Sequence, residues 1–540
     1  MINCKDGATF DYVIIGGGSA GCVLANRLSE DGKHSVLLLE AGGDDRNIWI
    51  HIPVGYVKTM ANSDLNWLFK TEPEPNLHNR QIPIPRGKVL GGSSSINGMV
   101  YVRGNNRDYD DWAQLGNRGW AYDDILPYFK KAENRETGEN SWRGIGGPLN
   151  IANVRSTYPI LDRVIDAAEE AGYERNSDYN GERQEGFGYF QVTQKNGRRW
   201  SAKTAYLDPA RIRKNLVIQS HAMATKLIVE HGTTHGVIYR VDGLERKVFA
   251  GREVLVSAGS VQSPQLLELS GIGRPEVLQR CGIKVCHRLM GVGENLQDHY
   301  TSRLVWRLKN SGSLNEKGRG LRLLGEVAKF AFGNSGALTM PAGIVAGFIR
   351  SRAELEVPDI QYHWANASFD DPAKRILHKF PGITAAPCQL RPESRGSIHI
   401  KSDDPYEAPS IIQNFLTEEL DQQTLIYGIQ IARKIMNTST MQAFNDGELT
   451  PGNECQTDNE IIDFAAKTGA TLYHPVGTCK MGNDLNAVVD ERLRVHGIRR
   501  LRIVDGSVMP RLVSGNTNAP IIMIAEKAAD MVREDRDGSV

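Results

Sequence analysis

Phe10-Asp11-Tyr12-Val13-Ile14-Ile15-Gly16-Gly17-Gly18-Ser19-Ala20-Gly21 is the stretch that decides the fold. Its first half is a short, β-branched, mostly apolar run, as a buried strand requires. From Ser19 to Leu28, the residues Ala20, Val23, Leu24 and Leu28 fall at helical spacing, so the order is strand, glycine turn, helix. Gly16 permits the tight turn, Gly18 lets the backbone approach a pyrophosphate, and Gly21 allows close packing of a helix whose N-terminus faces the negative charge. A second apolar strand, Ser35 to Leu39, ends in Glu40, 19 residues beyond Gly21, the interval at which an acid grips a ribose. In that context the turn is a dinucleotide site rather than a glycine-rich loop that binds nothing.

At 540 residues and 40% hydrophobic content, the chain is long enough for two or more domains with ample core. Lys+Arg and Asp+Glu are equal at 64 each, so no positive excess points to a nucleic acid or an acidic membrane. The seven cysteines are scattered, odd in number and free of any CxxC pair, against both a disulfide framework and a zinc site. A reducing cytoplasm fits this usage, and no metal is expected. Met1 to Thr9 lacks the apolar core of a signal peptide, and no run approaches the ~18 apolar residues of a membrane span. The most apolar candidate, Gly336 to Ile349, reads as a buried strand pair. Peripheral contact with the inner membrane stays open, and oligomeric state is not encoded legibly.

Further along, Pro and Gly crowd the region from Gly43 to Gly104, a loop-rich excursion of the kind that usually carries function. It ends in Gly87 to Val100, where small residues let backbone N–H groups crowd a ligand. Val254 to Ser257 reads as another strand feeding a ligand-facing turn at Ala258-Gly259, with a helix from Ser260 to Ser270. Between Asn310 and Thr468 the texture changes to alternating strands, such as Ile360 to Trp364, plus a helix around Leu420 to Ile435. Leu501 to Val504 returns to nucleotide-domain character, and Pro520 opens a terminal helix. The fold expected is α/β: a Rossmann-like nucleotide domain, discontinuous over 1–155, 201–309 and 469–540, and a sheet-and-helix substrate side from 156–200 and 310–468.

These strings resemble the glucose-methanol-choline (GMC) oxidoreductases, flavoproteins that bind FAD and oxidise alcohols. The resemblance rests on GGGSAG with Glu40, Gly87 to Gly104, Gly259 to Gly273, Gly291 to His299, Tyr473 to Gly482, and Val504 to Ala525, in the family's order and over essentially the whole length. Within the family the strings look most like bacterial membrane-linked alcohol and choline dehydrogenases. The resemblance implies that Gly16, Gly18, Ser19, Ala20 and Glu40 hold the ADP portion of FAD, with Ala224 a backbone contact to adenine. It also implies that Asn97, Gly98, Met99 and Val100 flank the flavin ring, that the turn at Ala258 contacts the cofactor, and that Asp505 and Gly506 meet the ribityl or phosphate region. Some members attach FAD through a histidine where this chain has Ile96, so the cofactor is expected to be non-covalent.

By the same resemblance His474 sits at the family's catalytic histidine and Asn518 at its His-or-Asn partner position. The chemistry suits them. Hydride leaves an alcohol carbon more easily when the hydroxyl proton departs too, and an imidazole with an ordinary pKa of ~6.5 can take that proton. An asparagine amide can orient the oxygen without competing for it. The expected reaction is oxidation of a primary alcohol to an aldehyde with hydride transfer to flavin N5, and with oxygen or a quinone as acceptor. Choline oxidation and hydroxynitrile cleavage on the same fold are the alternatives. Three other signals read as structural: Cys479 as buried packing rather than a copper ligand, Asp298-His299 as scaffold, and the basic run Lys195, Arg198, Arg199 and Lys203 as solvated surface. Tyr362 and Trp364 offer aromatic surface either to a pocket or to a half-buried strand.

Overall fold

The computed structural model describes residues 4–371 and 376–537, which form a mixed α/β structure around two sheets. The first sheet runs in the order Leu216–Gln219, Val36–Leu39, Ala8–Ile15, Leu244–Val256, Thr233–Val241, Met223–Glu230, with Leu501–Ile503 also paired to Leu244–Val256. Its strands from the first four segments and the last pair in parallel, so both faces must be covered, which is why Val36–Leu39 is apolar at every position. The Ser19–Leu28 helix covers one face and packs on the C-terminal Asn518–Arg536 helix, where a buried Arg27–Glu526 pair, Nε to Oε2 at 2.8 Å, joins them.

Register determines where a ligand can sit. Ile15 pairs with Leu39 on one side and Val256 on the other, and Val256 pairs with Ile503. Four parallel strands therefore end at one level, and the turns that follow, at Gly16, Glu40, Ser257-Ala258 and Val504-Asp505, gather on one rim. Ligands of open α/β sheets bind at such a carboxyl edge.

The second sheet is antiparallel: Asn445–Thr450, Leu304–Leu308, Gly382–Gln389, Ile360–Ala365, Val345–Ile349 and Gly186–Tyr189, with short strands Tyr300–Thr301 and Ala470–Thr471 attached. The Glu419–Met436 helix lies across it, and Tyr362 and Trp364 are wholly buried in the core between them. Strand alternation then turns Gln361 and His363 the other way. The stretch from Gly336 to Ile349, expected as a strand pair, is a 3-10 turn, Ala337–Thr339, followed by the single strand Val345–Ile349. Gly336 at φ +84° and Pro341, which has no N–H to donate, interrupt any first strand. Among the described residues no helix is long and apolar enough to cross a membrane.

Candidate active site

The rim of the first sheet opens into a cleft of about 1110 Å³, mouth included, whose walls contain Gly16, Gly18, Ser19, Ala20, Glu40, Ala224, Ala258, Asp505 and Gly506. The glycines are shaped for it. A Cβ on Gly16, at φ +98°, would lie 2.5 Å from the Ser257 carbonyl oxygen, and one on Gly21 would lie 1.9 Å from the Gly16 oxygen. Gly18 differs: a Cβ there meets no atom closer than 4.0 Å, so its open side faces the cleft beside the first turn of the Ser19–Leu28 helix. That open face and the helix N-terminus suit a pyrophosphate. Glu40 accepts from the Gly17 and Gly42 amides at 2.8 and 2.7 Å, and burial pushes its carboxyl up to about 7. Asp505 caps two turns at once, accepting from Ser507 N at 2.8 Å and from Gly259 N at 2.9 Å. These walls fit a dinucleotide cofactor.

Asn97, Gly98, Met99 and Val100 do not line this cleft, which ends in that direction at Gly92 and Ser93. Asn97 is instead fixed by a buried cation. The buried Arg199 guanidinium donates to Asn97 Oδ1 and to Asn97 O, both at 2.7 Å, so this member of the basic run is internal scaffold. Lys203 is likewise internal, bonded to Asp208 at 3.0 Å and paired with Asp45 at 2.8 Å. Met99 adopts a left-handed φ of +62°, and Gly98 lies so close to Ala342 that a Cβ would fall 2.3 Å from its methyl. Ile96 is buried with Ile50, Leu65 and Val89.

The far end of the cleft reaches Pro475 and Thr517, each one residue from a group able to do chemistry. His474 is buried, and its Nε2 lies 3.0 Å from the amide nitrogen of Asn516. This corrects the expectation for Asn518, whose Oδ1 accepts instead from Ser19 Oγ at 2.8 Å, tying the terminal helix to the helix of the glycine turn. Two residues of register at a helix start separate the positions: Thr517 caps the helix, Asn518 begins it beside Ser19, and Asn516 precedes it on the His474 side.

Hydrogen bonding fixes the histidine's tautomer. His299 Nε2 lies 3.0 Å from the Leu390 carbonyl, which can only accept, so that nitrogen carries a proton and His299 Nδ1 is bare. Nδ1 of His299 is 3.0 Å from Nδ1 of His474, so the proton between them belongs to His474. His474 Nε2 is then an unprotonated acceptor, which matches the Asn516 donor. Asn516 is oriented in turn by Gln361, whose Nε2 donates to its Oδ1 at 3.2 Å. Asp298, expected as scaffold, is scaffold of a specific kind: it accepts from the His474 and His299 amides at 2.8 Å each, from Thr471 Oγ1 and from Gln413. Its partner His299 belongs to the site itself.

Electrostatically the pocket favours neutral imidazoles. Burial, reinforced by His299, His363 and Arg86, holds the His474 pKa well below the usual histidine range. Burial takes His299 down to about 4, and burial, with neighbouring His299 and Arg303 also opposing a charge there, takes His363 to about 3. Arg86 lines the cleft and donates to the Tyr473 carbonyl at 2.6 Å, and burial lowers its guanidinium to about 10. Sequence reading passed over Asn516, His363, Gln361 and Arg86, and it assigned His299 to the scaffold. The signal for two of them was present in the phase of the Ile360–Ala365 strand, whose aromatic positions face the core and whose Gln361 and His363 face the site.

Comparisons with known proteins find relatives over nearly the whole chain. Two family models, each described as GMC oxidoreductase, match residues 10–301 and 392–525. The chain is 42% identical over 532 residues to the oxygen-dependent choline dehydrogenase of Escherichia coli, covering 97% of this chain and 95% of that one. To its counterpart from Photobacterium profundum it is 43% identical over 537 residues, 97% and 93% of the two chains. Among solved structures it is similar to pyridoxine 4-oxidase from Mesorbium loti, with TM-score 0.87, 29% identity and 96% and 98% coverage. It is also similar to formate oxidase from Aspergillus oryzae, with TM-score 0.91, 27% identity and 99% and 100% coverage.

Proposed function

Because the chain belongs to the GMC oxidoreductases, FAD-dependent enzymes acting on alcohol-type donors, we propose that it oxidises an uncharged primary alcohol to the aldehyde with His474 as the base. The observation that carries this reading is the chain Leu390 carbonyl, His299, His474, Asn516, which leaves one bare nitrogen, His474 Nε2, at the end of the cofactor cleft. The substrate hydroxyl donates its proton to that nitrogen while Asn516 Nδ2 donates to the substrate oxygen, so the oxygen enters between two groups that now bond each other. Asp298 holds the backbone that carries His474. Bound FAD supplies the two-electron acceptor for the hydride leaving the alcohol carbon. Gly16, Gly18, Ser19, Ala20, Glu40, Ala224, Ala258, Asp505 and Gly506 would hold the cofactor, with Asn97 to Val100 flanking its ring and Ile96 leaving it non-covalent.

Choline is the second reading, favoured by the names of the relatives at 42–43% identity. The charges argue against it here. Those acting on the three histidines are Arg86 and Arg303, and the four donors on Asp298 leave that carboxylate occupied. A quaternary ammonium would enter without a free counter-charge from that cluster, which is costly in a buried site. An anaerobic panel of aliphatic, aryl and quaternary-ammonium alcohols, read at the flavin absorbance, separates the readings. Bleaching by neutral alcohols at least ~10-fold more efficient than by choline is expected. Bleaching by choline alone refutes the assignment, and cyanohydrin cleavage without bleaching moves it to a lyase. Reoxidation of the same sample with air and with a quinone assigns the acceptor.

A further inference from the structure

His299, His363 and His474 are held neutral, and His399 is built the other way. Its ring lies mostly buried at the end of the Ser397–His399 strand, with Nδ1 2.7 Å from Glu268 Oε1 and Nε2 3.2 Å from Glu294 Oε1. The second oxygen of Glu268 accepts from Ile400 N at 2.8 Å, so both oxygens of this wholly buried carboxylate are engaged as acceptors. Glu294 Oε1 accepts from the Arg274 guanidinium as well. A ring whose two nitrogens both face such acceptors donates from both, which makes it the imidazolium. Burial opposes that charge, and the bonds and negative charges of Glu268 and Glu294 outweigh it, raising the His399 pKa to about 9.

The two carboxylates belong to different parts of the site. Glu268 is on the Gly259–Leu269 helix, whose Gly259, Val261, Gln262, Gln265 and Leu266 line the cofactor cleft. Glu294 is on segment 291–299, which carries Asp298 and His299. That segment is threaded between two others: Leu296 exchanges both backbone bonds with Gly396, at 3.0 and 2.8 Å, and Gln297 exchanges both with Val476, at 3.0 and 2.9 Å. Ile398 N donates to Gly293 O at 2.7 Å, and a Cβ on Gly293, at φ +82°, would fall 2.1 Å from the Ile398 carbonyl oxygen. His399 stands where helix, segment and strand meet. The charged groups facing it are Glu268 from the helix and Glu294 from the segment, with Arg274 on the far side of Glu294. The nearby Cys281 thiol, 3.6 Å from the Ile400 carbonyl, is kept neutral by burial.

We propose that the His399 imidazolium is a positioning residue, a latch that ties the cofactor helix to the segment carrying Asp298 and His299 and so holds bound FAD and His474 in register. The part of this that concerns His474 rests on its reading as the base. When the ring gives up its proton, Glu268 and Glu294 are left facing each other with no cation between them, and each then disfavours the other's charge. The latch is therefore closed at neutral pH and opens as pH rises through about 9.

The test follows two rates in the FAD-loaded full chain from about pH 6 to about pH 10.5: release of FAD, read by flavin fluorescence on dilution, and anaerobic flavin reduction by a neutral primary alcohol with FAD in excess. In the parent, release should quicken and reduction should slow, each by about 10-fold or more, with a shared midpoint near 9. Glu294→Gln removes one of the two carboxylates and should move that midpoint down by about one unit or more. His399→Gln, which takes up no proton, should release FAD at about the parent's alkaline rate throughout and show no midpoint near 9. Glu40 near 7 and Arg86 near 10 line the same cleft and titrate alike in all three proteins. A parent without the midpoint in FAD release, a His399→Gln variant that keeps it, or a Glu294→Gln variant in which it does not move overturns the proposal, and the parent titration suffices if a variant fails to fold. Reduction that stays level through the release midpoint overturns the link to His474. Release with the expected midpoints but no reduction by any alcohol supports the latch on the cofactor and refutes the assigned reaction instead.

Discussion

Asn516 and Asn518 lie two residues apart, and the geometry assigns them different work, which makes their alanine variants a sharp test. Asn516→Ala removes the donor 3.0 Å from His474 Nε2 and leaves the Gln361 amide without its acceptor. A donor positioned at an oxygen that develops negative charge is worth about 10²–10³ in rate, or roughly 2.7–4 kcal/mol. The rate constant for flavin reduction should therefore fall by about that factor, with the flavin-to-protein ratio unchanged. Asn518→Ala removes a bond from Ser19 Oγ, 2.8 Å long and partly buried, at the first residue of a helix that borders the cleft. One such bond is worth about 0.5–1.5 kcal/mol, so FAD retention should weaken about 2- to 10-fold and the reduction rate should change little. Stopped-flow anaerobic reduction, with flavin content measured on the same preparations, reads both effects. Asn516→His, which keeps a donor, should recover part of the loss. If Asn516→Ala reduces flavin within about threefold of the parent while Asn518→Ala loses 100-fold, the assignment of the partner to Asn516 is wrong.

Two further outcomes follow from burial. His299, His363 and His474 are held neutral in the folded chain, with pKa values below the ~6.5 of an unfolded histidine, so the unfolded chain binds more protons below that pH. Their contribution is complete above pH ~6.5 and is lost as pH falls towards the folded values, at about 1.4 kcal/mol per histidine per pH unit. Glu40, raised to about 7, and Asp298, raised to about 6, act with the opposite sign over this range, so the test compares slopes: in denaturant unfolding between pH 6.5 and 5, His363→Gln should lower the parent's slope by about one proton, and an unchanged slope would show that His363 is not held neutral. Ile96 sits among apolar side chains where a flavin-linking histidine would stand in some relatives. Acid precipitation of the holoprotein should therefore leave all yellow colour in the supernatant, and a coloured pellet would disprove the non-covalent reading.

Much of the architecture was legible locally because it follows from short-range rules. The apolar run before Gly16, the helical spacing after Ser19 and the acid at Glu40 each report on a few neighbours, and the structure puts all three on one rim. The stretch before Ile349 was not legible, because apolar composition cannot distinguish two strands from a turn and one strand once Gly336 and Pro341 break the pairing. Tyr362 and Trp364 drew notice as aromatics, yet they fill the core, and the side chains one position over reach the site.

The sequence by itself determined the nucleotide cleft, since glycine turns, strand ends and a helix N-terminus are properties of contiguous residues, and it singled out His474 as a candidate through the string that surrounds it. Tertiary structure alone decided what His474 touches. Its tautomer depends on a carbonyl at Leu390 and a ring at His299, and its donor is Asn516 rather than Asn518 because of where one helix starts against another. Such choices rest on angstrom-scale contacts between segments far apart in the chain, and no local pattern of residues encodes them.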